Sequence, residues 1–287
     1  MSTTLGEATR PGRSTRPGRS TRPRRSTTEL AQQAPLWQKL FATELAARIA
    51  AVLAFAVFWV VLSAVFARVP GPIAVATNLI DEFARGEVFG NFGVTLYRFG
   101  IGVALALVAG TAVGVLMGLS QLSRAFLESP VLVGLSMPAI IWSFLTVMWF
   151  GFGDLSPIVT TFLTAVPFVV LNVFQGVRGI SRDLRDMSAS YGVPFTRQVR
   201  ELVLPAITGF VATGARYAVL MGWNGVLLAE WFGGSGGVGY RARYWYDANQ
   251  FAGFAAWVVL FIAFIVALDR LVFDPLVTRA FRWRDAR

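Results

Sequence analysis

The sequence has 287 residues, of which 55% are hydrophobic and only 15% are charged, and its mean hydropathy is +0.58. It contains no His and no Cys, so the commonest general base, the commonest metal ligand and all thiol chemistry are absent. The 16 Asp and Glu residues are scattered along the chain rather than paired. The composition therefore argues against a conventional enzyme, and we expect this chain to bind no metal and no cofactor.

Residues 1–44 are predicted to form a basic, disordered cytoplasmic tail. The near-repeat TRPGRS-TRPGRS-TRPRRS places seven arginines between Arg10 and Arg25, and a segment so rich in Pro, Gly and Ser cannot bury a core. Much of the net charge of +10 lies here, and we expect no nucleic-acid partner. A solvated tail is the simpler interpretation, and tethering to anionic lipid head groups is the alternative.

Runs without a charged residue predict an all-α, polytopic membrane domain over residues 45–287. A helix needs about 20 apolar residues to cross a hydrocarbon core of ~30 Å. Five runs have that length, and one further apolar segment is interrupted only by Arg216. The six predicted spans are 49–67, 99–123, 129–153, 155–177, 202–229 and 248–268. The first run is longer than a signal-peptide core and follows some 48 residues, so we interpret it as a retained signal anchor.

The distribution of basic residues predicts the orientation of these spans. With the N-terminus in the cytoplasm, 20 basic residues fall in cytoplasmic segments and five in outer segments. Without the seven tail arginines the ratio is still 13 to 5. Because basic residues are enriched in cytoplasmic loops, both termini are predicted to be cytoplasmic, in a multi-pass protein of the cytoplasmic (inner) membrane.

Two features within the spans predict local geometry. Gly110, Gly114 and Gly118 recur at every fourth residue, which places them on one helix face where another helix can approach closely. The ordinary frequency of glycine in membrane helices is the alternative explanation. Pro130 and Pro138 are expected to kink the third span and bend it around a cavity.

The segment that follows the fifth span contains Gly234, Gly236 and Gly239, which satisfy the pattern G-x-G-x-x-G. Phosphate-binding loops with this pattern follow a strand and open a helix, whereas these glycines follow a predicted span and lie on the outer side. We therefore expect no nucleotide here. The expected structure is a tight turn rimmed by interfacial aromatics, and a loop that dips toward a pore is the alternative. The rim residues are Trp231, Tyr240, Tyr244, Trp245 and Tyr246.

Polar and aromatic side chains within the spans are candidates for a translocation path, because polar groups are costly in lipid unless they face protein or water. The candidates are Trp142, Ser143, Asn172, Arg216, Trp223, Asn224 and Glu230. Helix-to-helix hydrogen bonds, packing in the membrane and snorkelling of the arginine are the alternatives for these residues. For Glu230 the alternatives are contact with an outer protein and bonding to its own neighbouring backbone.

The longest cytoplasmic loop between spans, residues 177–206, alternates charged and apolar residues, and Gly192-Val193-Pro194 divides it into two predicted short helices. It resembles the signature loop E-A-A-x-x-x-G-x9-I-x-L-P of the permease subunits of ATP-binding cassette (ABC) importers. Asp186, Met187 and Ser188 occupy the first three positions, Tyr191 and Gly192 follow, and the segment ends in Leu202, Leu204 and Pro205. The stretches 95–120, 136–154 and 213–240 resemble the nitrate, sulfonate and taurine type of these permeases.

The resemblance covers roughly residues 70–284, with a core at about 90–275, and has specific implications. It implies a coupling helix between spans four and five that inserts into a cytoplasmic ATPase subunit, so that ATP is hydrolysed on a separate polypeptide. Further implied partners are a second permease copy, two ATPase subunits, membrane lipid and an extracytoplasmic binding protein that delivers a small solute. Family members also carry an arginine at the position that matches Arg216.

Two other classes of protein remain open from the sequence. A channel or secondary carrier is one of them, although carriers usually keep acidic residues within their spans and the charge-free runs here contain none. A membrane scaffold that binds some other soluble protein through the same loop is the other. Co-purification of an ATPase would separate both classes from an importer subunit.

Overall fold

The structure, a computed structural model, describes residues 44–273 and 275. All regular structure in these residues is helical, with no strand. The predicted tail lies almost wholly outside them, as do residues 274 and 276–287. The helices are α1 Glu44–Val65, α2 Pro72–Ala84, α3 Glu87–Leu119, α4 Gln121–Ser136, α5 Ala139–Phe150, α6 Leu155–Arg178, α7 Arg182–Ser190, α8 Phe195–Gln198, α9 Leu204–Gly233, α10 Val238–Asp247 and α11 Phe251–Leu268. Two π-helical turns, Val199–Val203 and Asp269–Phe273, precede α9 and follow α11.

The chain divides into two compact units, one ending at Phe58 and one beginning at Trp59. The described part of the first unit is the N-terminal portion of α1. In the second unit, Trp59 Nε1 donates to the carbonyl of Pro70 (3.0 Å) and so holds the turn between α1 and α2. Helices α2–α11 belong to this second unit, as do the signature-like loop and the candidate path residues named above.

Among the described residues, five helices are long and apolar enough to cross a membrane, and the number becomes six if a sharply bent helix pair counts as one span. The six predicted spans fall on these helices. The helices of the second, third and fifth spans begin earlier than predicted, at residues 87, 121 and 195 rather than 99, 129 and 202, and the other ends agree to within four residues. The sequence prediction began the second span at residue 99, because Arg98 ended the charge-free run. In the structure the span begins at Glu87. That start was wrong because Arg98 is neutralised by two carboxylates and lies inside the helix.

The third predicted span is not a single straight helix. Helices α4 and α5 meet at an angle of 103° at a break around Met137 and Pro138. Proline lacks the N–H that an uninterrupted helix would use here, and α5 restarts with Pro138 as its N-terminal flank. Pro130, in contrast, lies inside α4 without ending it. The expected bend therefore forms at one of the two prolines.

Helix α6 is the centre of the bundle, and α3 packs along it at close range. The contact is made by glycines on α3 that recur every four residues, opposite side chains on α6 with the same period. The pairs are Gly102 with Thr161, Gly110 with Val169, Gly114 with Val173 and Gly118 with Val177. A Cβ at any of these glycines would lie 2.5–2.7 Å from the Cβ of its partner. The two backbones are therefore at a distance that only glycine permits.

Candidate functional site

The connection between α6 and α9 (residues 179–203) contains the predicted signature loop. Helix α7 ends at Ser190, and the turn that follows is closed by a bond from Val193 N to the carbonyl of Ser188 (3.0 Å). Gly192 in this turn has a φ of +63°, a region that side chains with a Cβ rarely adopt. Gln198 on α8 donates to the hydroxyl of Ser188 (2.8 Å) and so ties the two short helices together.

An apolar stripe, formed by Leu184 and Met187 on α7 and by Tyr191 directly after it, faces solvent. Leu184, Met187 and Tyr191 follow one another at spacings of three and four, which places them on one side of a helix. They are 44%, 52% and 82% exposed, and Phe195 at the start of α8 is also exposed. Asp186 lies beside them and is exposed. Exposed apolar side chains at helical spacing, in a connection whose other exposed residues are mostly polar, are typical of a protein-binding surface.

The end of the signature joins this surface to the bundle. Val203 is buried in the core, and Leu202 packs partly buried against it. Leu204 and Pro205 are exposed in the first turn of α9. A groove of about 890 Å³ lies between the end of α6, α7 and the start of α9, and Leu184 and Pro205 are among its lining residues.

The break between α4 and α5 borders a second cavity, of about 430 Å³. Its walls are the break itself, the middle of α6 and one face of α9, and its lining includes Thr164 and Asn224. Asn224 is exposed and donates to the carbonyl of Leu220 (3.1 Å). No charged side chain is among the residues that line this cavity. It presents a small, neutral and partly polar surface.

The other candidates for the path lie away from this cavity lining. Ser143 is buried and donates to the carbonyl of Ile140 (2.8 Å), and Asn172 donates to that of Phe168 (2.8 Å), so both bonds stay within a helix. Trp142 is half-buried. These contacts match the alternative in which the polar side chains serve helix structure.

Trp223 and Glu230 are enclosed by the subunit's own helices. Trp223 is 1% exposed, stacked against Phe264 and Phe261 on α11 and edge-on to Phe99 on α3. It belongs to the core between three spans. These contacts match the alternative in which Trp223 packs within the membrane domain.

Arg216 is paired within the chain. Its guanidinium donates twice to Asp269, from Nε to Oδ1 and from Nη2 to Oδ2, at 2.8 Å each. Asp269 begins the π-helical turn after α11. A bidentate pair of this kind is among the stronger charge-assisted contacts, and it balances the positive charge that α9 carries within its span.

Glu230 is the centre of a buried cluster that joins four segments. Its side chain has no exposed surface and accepts bonds from Thr95 Oγ1 (2.9 Å) and from Arg98 Nη1 (2.9 Å), both on α3. Arg98 is itself 2% exposed and donates from Nη2 to Asp154 Oδ1 (2.6 Å) in front of α6. Thus one carboxylate on α9 and one arginine on α3 connect the ends of three spans. We call these four residues the Glu230 cluster.

The fourth segment is the glycine turn (residues 234–239), which wraps around this cluster. Four consecutive residues of the turn each make one bond to a side chain of α3 or α9. The bonds are Arg98 Nη1 to the Gly236 carbonyl (2.7 Å), Gly237 N to Asn91 Oδ1 (3.0 Å), Val238 N to Thr95 Oγ1 (2.8 Å) and Gly239 N to Glu230 Oε2 (3.0 Å). Backbone groups of the kind that cradle a phosphate are therefore engaged here by the protein's own side chains.

A second buried carboxylate holds α10 beyond the glycine turn. Glu82 on α2 accepts two bonds from Arg241 (3.0 Å each) and one from Trp257 Nε1 on α11 (2.8 Å). Burial alone raises the pKa of Glu82, but the hydrogen bonds from Arg241 and Trp257 and the charge of Arg241 outweigh it, so the pKa lies below its ordinary value. The hydrogen bond to Glu82 likewise raises the pKa of Arg241. Trp245, one of the predicted rim aromatics, is buried here rather than interfacial.

Sequence reasoning named Glu230 but missed its partners. Asn91, Thr95 and Arg98 lie at spacings of four and three, so they form one polar face of a helix that is otherwise apolar. That spacing is the signal that was available. The signal was missed because the sequence analysis assigned Arg98 to the loop before the second span rather than to the helix itself.

The apolar spans, the broken helix pair and the buried charge clusters define a polytopic helical membrane protein. Residues 102–279, more than half of the chain, match the sequence pattern of the family described as "Binding-protein-dependent transport system inner membrane component". The chain belongs to this family, the inner-membrane permease subunits of ABC importers.

Relatives that are described as transport permeases support this assignment. A putative aliphatic sulfonates transport permease of Bacillus subtilis is 29% identical over 64% of this chain, and the match spans 65% of that relative, slightly under two thirds. A nitrate import permease of Synechococcus elongatus is 27% identical over 76% of this chain and 84% of its own length. A bicarbonate transport permease of the same species is 29% identical over 82% and 87%.

The fold is shared with a solved transporter. The structure matches a chain of the MetNI methionine ABC transporter in an inward-facing conformation with a TM-score of 0.62, over 70% of this chain and 99% of that chain. At 19% identity this likeness concerns the fold alone.

Proposed function

We propose that this permease subunit works in an ABC importer as one of two copies, coupled to two cytoplasmic ATPase subunits and to an extracytoplasmic binding protein. The observation that carries the proposal is the exposed apolar stripe on α7, in a connection that matches the family's signature loop. An importer of this type needs a surface that transmits the ATP-driven closure of the ATPase subunits to the membrane spans. The connection between α6 and α9 leads directly into the span formed by α9.

The stripe has the chemistry of a coupling helix. The exposed side chains of Leu184, Met187 and Tyr191 are apolar, so burying them against a partner carries no polar desolvation penalty. Asp183 and Asp186 beside them are exposed and can make polar contacts at the rim of such an interface. A lever of this kind biases the spans only if the ATPase binds it differently in its open and closed states. The Gln198–Ser188 bond makes α7 and α8 a single unit on which such a bias can act.

The translocation path is proposed to run along the cavity at the α4–α5 break, completed by the same surface of a second copy. This surface combines the exposed amide of Asn224 with a stretch of non-helical backbone at Pro138. Irregular backbone within a membrane is tolerated where it is covered by protein or lines a water-filled space. A second copy that faces the break satisfies this requirement.

The cargo is proposed to be a small anion. The relatives named above transport a sulfonate, nitrate or bicarbonate according to their descriptions. A neutral polar lining suits such a solute, because a path must hold its cargo weakly enough to release it. The selectivity then belongs mainly to the binding protein, which meets the Glu230 end of the bundle if both termini are cytoplasmic.

Co-purification in mild detergent tests the proposal directly. The wild type should retain an ATPase, and the double variant Met187→Glu/Tyr191→Glu should lose it because two charges are placed in an apolar contact. The matched control is Thr196→Glu, which adds a charge to an exposed polar position on α8 and should retain the ATPase. Failure to recover any ATPase with the wild type would favour an uncoupled channel, carrier or scaffold. Uptake of labelled nitrate, sulfonate and bicarbonate into proteoliposomes of the complete complex would then identify the cargo.

A further inference from the structure

The glycine turn is held in place by side chains rather than by its own secondary structure. Residues 236–239 make their bonds to Asn91, Thr95, Arg98 and Glu230, which belong to α3 and α9. Three of these side chains form a single polar face of α3. We infer that Glu230 is the positioning residue of this turn: its carboxylate fixes the turn and the start of α10 to α3 and α9, so that they move as one body during transport.

The Glu230 carboxylate occupies the space in which a side chain at Gly237 would lie. Gly237 has a φ of +104°, and a Cβ built on it would overlap the Glu230 carboxyl group. At Gly236, by contrast, a Cβ would have no neighbour within 4 Å. Of these two adjacent glycines only Gly237 lies against Glu230, and its positive φ independently disfavours any residue with a Cβ.

The negative charge matters as well as the shape. Arg98 is buried between Glu230 and Asp154, and Asp154 is 60% exposed, so Glu230 is the buried half of its neutralisation. In Glu230→Gln, one NH2 group would face a donor from Thr95, Arg98 or Gly239. This substitution leaves one buried donor without an acceptor, and it leaves the buried Arg98 with one carboxylate instead of two. Both effects destabilise the Glu230 cluster. The turn would then lose its connection to both spans.

Spin-label distances report directly whether the turn stays fixed to α3. The chain contains no Cys, so Val108→Cys on α3 and Ser235→Cys in the turn, both exposed positions, introduce the only two thiols for nitroxide labels. The full-length permease, diluted with unlabelled Cys-free permease before it enters lipid nanodiscs so that labelled copies do not pair, should give one narrow distance distribution by pulsed electron resonance. Glu230→Gln should broaden or split that distribution.

Glu82→Gln is the matched control. Glu82 is as buried as Glu230 and is also paired with an arginine, but it contacts Arg241 and Trp257 and makes no bond to the glycine turn. The same chemical change should therefore leave the distribution narrow. Equal broadening in both variants would overturn the inference, because it would reflect loss of a buried charge in general. An unchanged distribution in Glu230→Gln would also overturn it.

A threonine pair keeps the test decisive if Glu230→Gln does not fold. Thr95→Val removes the hydroxyl that donates to Glu230 and accepts from Val238 N and should broaden the distribution, whereas Thr95→Ser keeps the hydroxyl and should not. Identical distributions for the two threonine variants would contradict the inference. In both series the measurement needs no partner protein.

The transport consequence rests on the proposed function and is measured separately. In the assembled complex, Glu230→Gln should lower the stimulation of ATP hydrolysis by the binding protein by roughly fivefold or more, the usual size of coupling between sites, while basal hydrolysis is retained. Absence of an ATPase from the wild-type complex would refute the proposed function and leave the distance result standing. Full stimulation in a variant whose turn is loosened would show that the turn does not transmit the signal.

Discussion

The close approach of α3 and α6 gives the sharpest prediction for stability. In Gly114→Ala the new Cβ would lie 2.7 Å from the Cβ of Val173 and 2.9 Å from the carbonyl oxygen of Val170. Because ordinary contacts between such atoms are about 3.5–4.0 Å, the two helices must separate by about 1 Å. Overpacking of this size costs about 1–3 kcal/mol.

The structure also predicts how such substitutions combine. Gly110 and Gly118 face α6 in the same row, and one displacement of the helices makes room at all three positions. The triple variant Gly110→Ala/Gly114→Ala/Gly118→Ala should therefore cost much less than the sum of the three single variants, because neighbouring sites that share one displacement are not additive.

The matched control is Gly100→Ala in the same helix. Gly100 is exposed, and its Cβ would meet nothing within 4 Å, so only the higher helix propensity of alanine acts there. That effect favours the variant by up to about 1 kcal/mol. The free energy of unfolding can be measured in a mixed detergent by titration with sodium dodecyl sulfate, with the fluorescence of the nine tryptophans as the signal. If Gly114→Ala were as stable as Gly100→Ala, or if the triple variant cost three times a single one, the reasoning would be refuted.

Three further predictions concern other contacts. Gly192→Val should reduce ATPase co-purification without affecting membrane insertion, because the φ of +63° costs a β-branched residue about 1–3 kcal/mol, whereas Gly192→Asn should retain the ATPase because asparagine tolerates this region. Asp269→Asn should lower the melting temperature by removing the carboxylate that Arg216 binds twice, and Asp269→Glu should restore part of the loss. The pKa of Glu82 is lowered from its ordinary 4.5 by Arg241, so its contribution to stability is complete above pH 4.5 and is lost as the pH falls through the lowered value. Melting curves should therefore show a loss of stability below about pH 4.5 that Glu82→Gln makes smaller.

The sequence predicted the spans well because lipid imposes a simple rule on them. A run of about 20 uncharged residues is a direct consequence of membrane thickness, and the α-helical fold follows because a spanning segment must satisfy its own backbone. The rule failed at Arg98, where a charge is tolerated because two carboxylates from distant segments surround it. Residues 154 and 230 are far from residue 98 in the chain, and their proximity depends on how three helices pack.

The candidate site was predictable to a similar extent. The stretch that resembles the signature loop could be recognised because its glycine and its Leu-x-Leu-Pro ending lie in one continuous segment, and its coupling role stays a prediction. Helix α10 and the roles of Glu82 and Arg241 could not be found, because α2 and α10 are amphipathic helices too short to span and their pairing is set only by the fold. For Trp223 the sequence left both a path role and a packing role open, since an aromatic residue in a span has the same local pattern whether it faces a path or the core.

The break between α4 and α5 has a consequence for the order of synthesis. Its cavity is walled by α6 and by α9, and the α9 residues leave the ribosome about 80 residues after Pro138. At a synthesis rate of about 5–20 residues per second, several seconds pass between the synthesis of the non-helical backbone at the break and that of the α9 residues that cover it. Unpaired backbone groups in lipid cost several kcal/mol each, so this helix pair should be retained at the insertion machinery until α9 arrives. The number of residues between Pro138 and Asn224 thus sets how long this helix pair must wait before its release into the membrane.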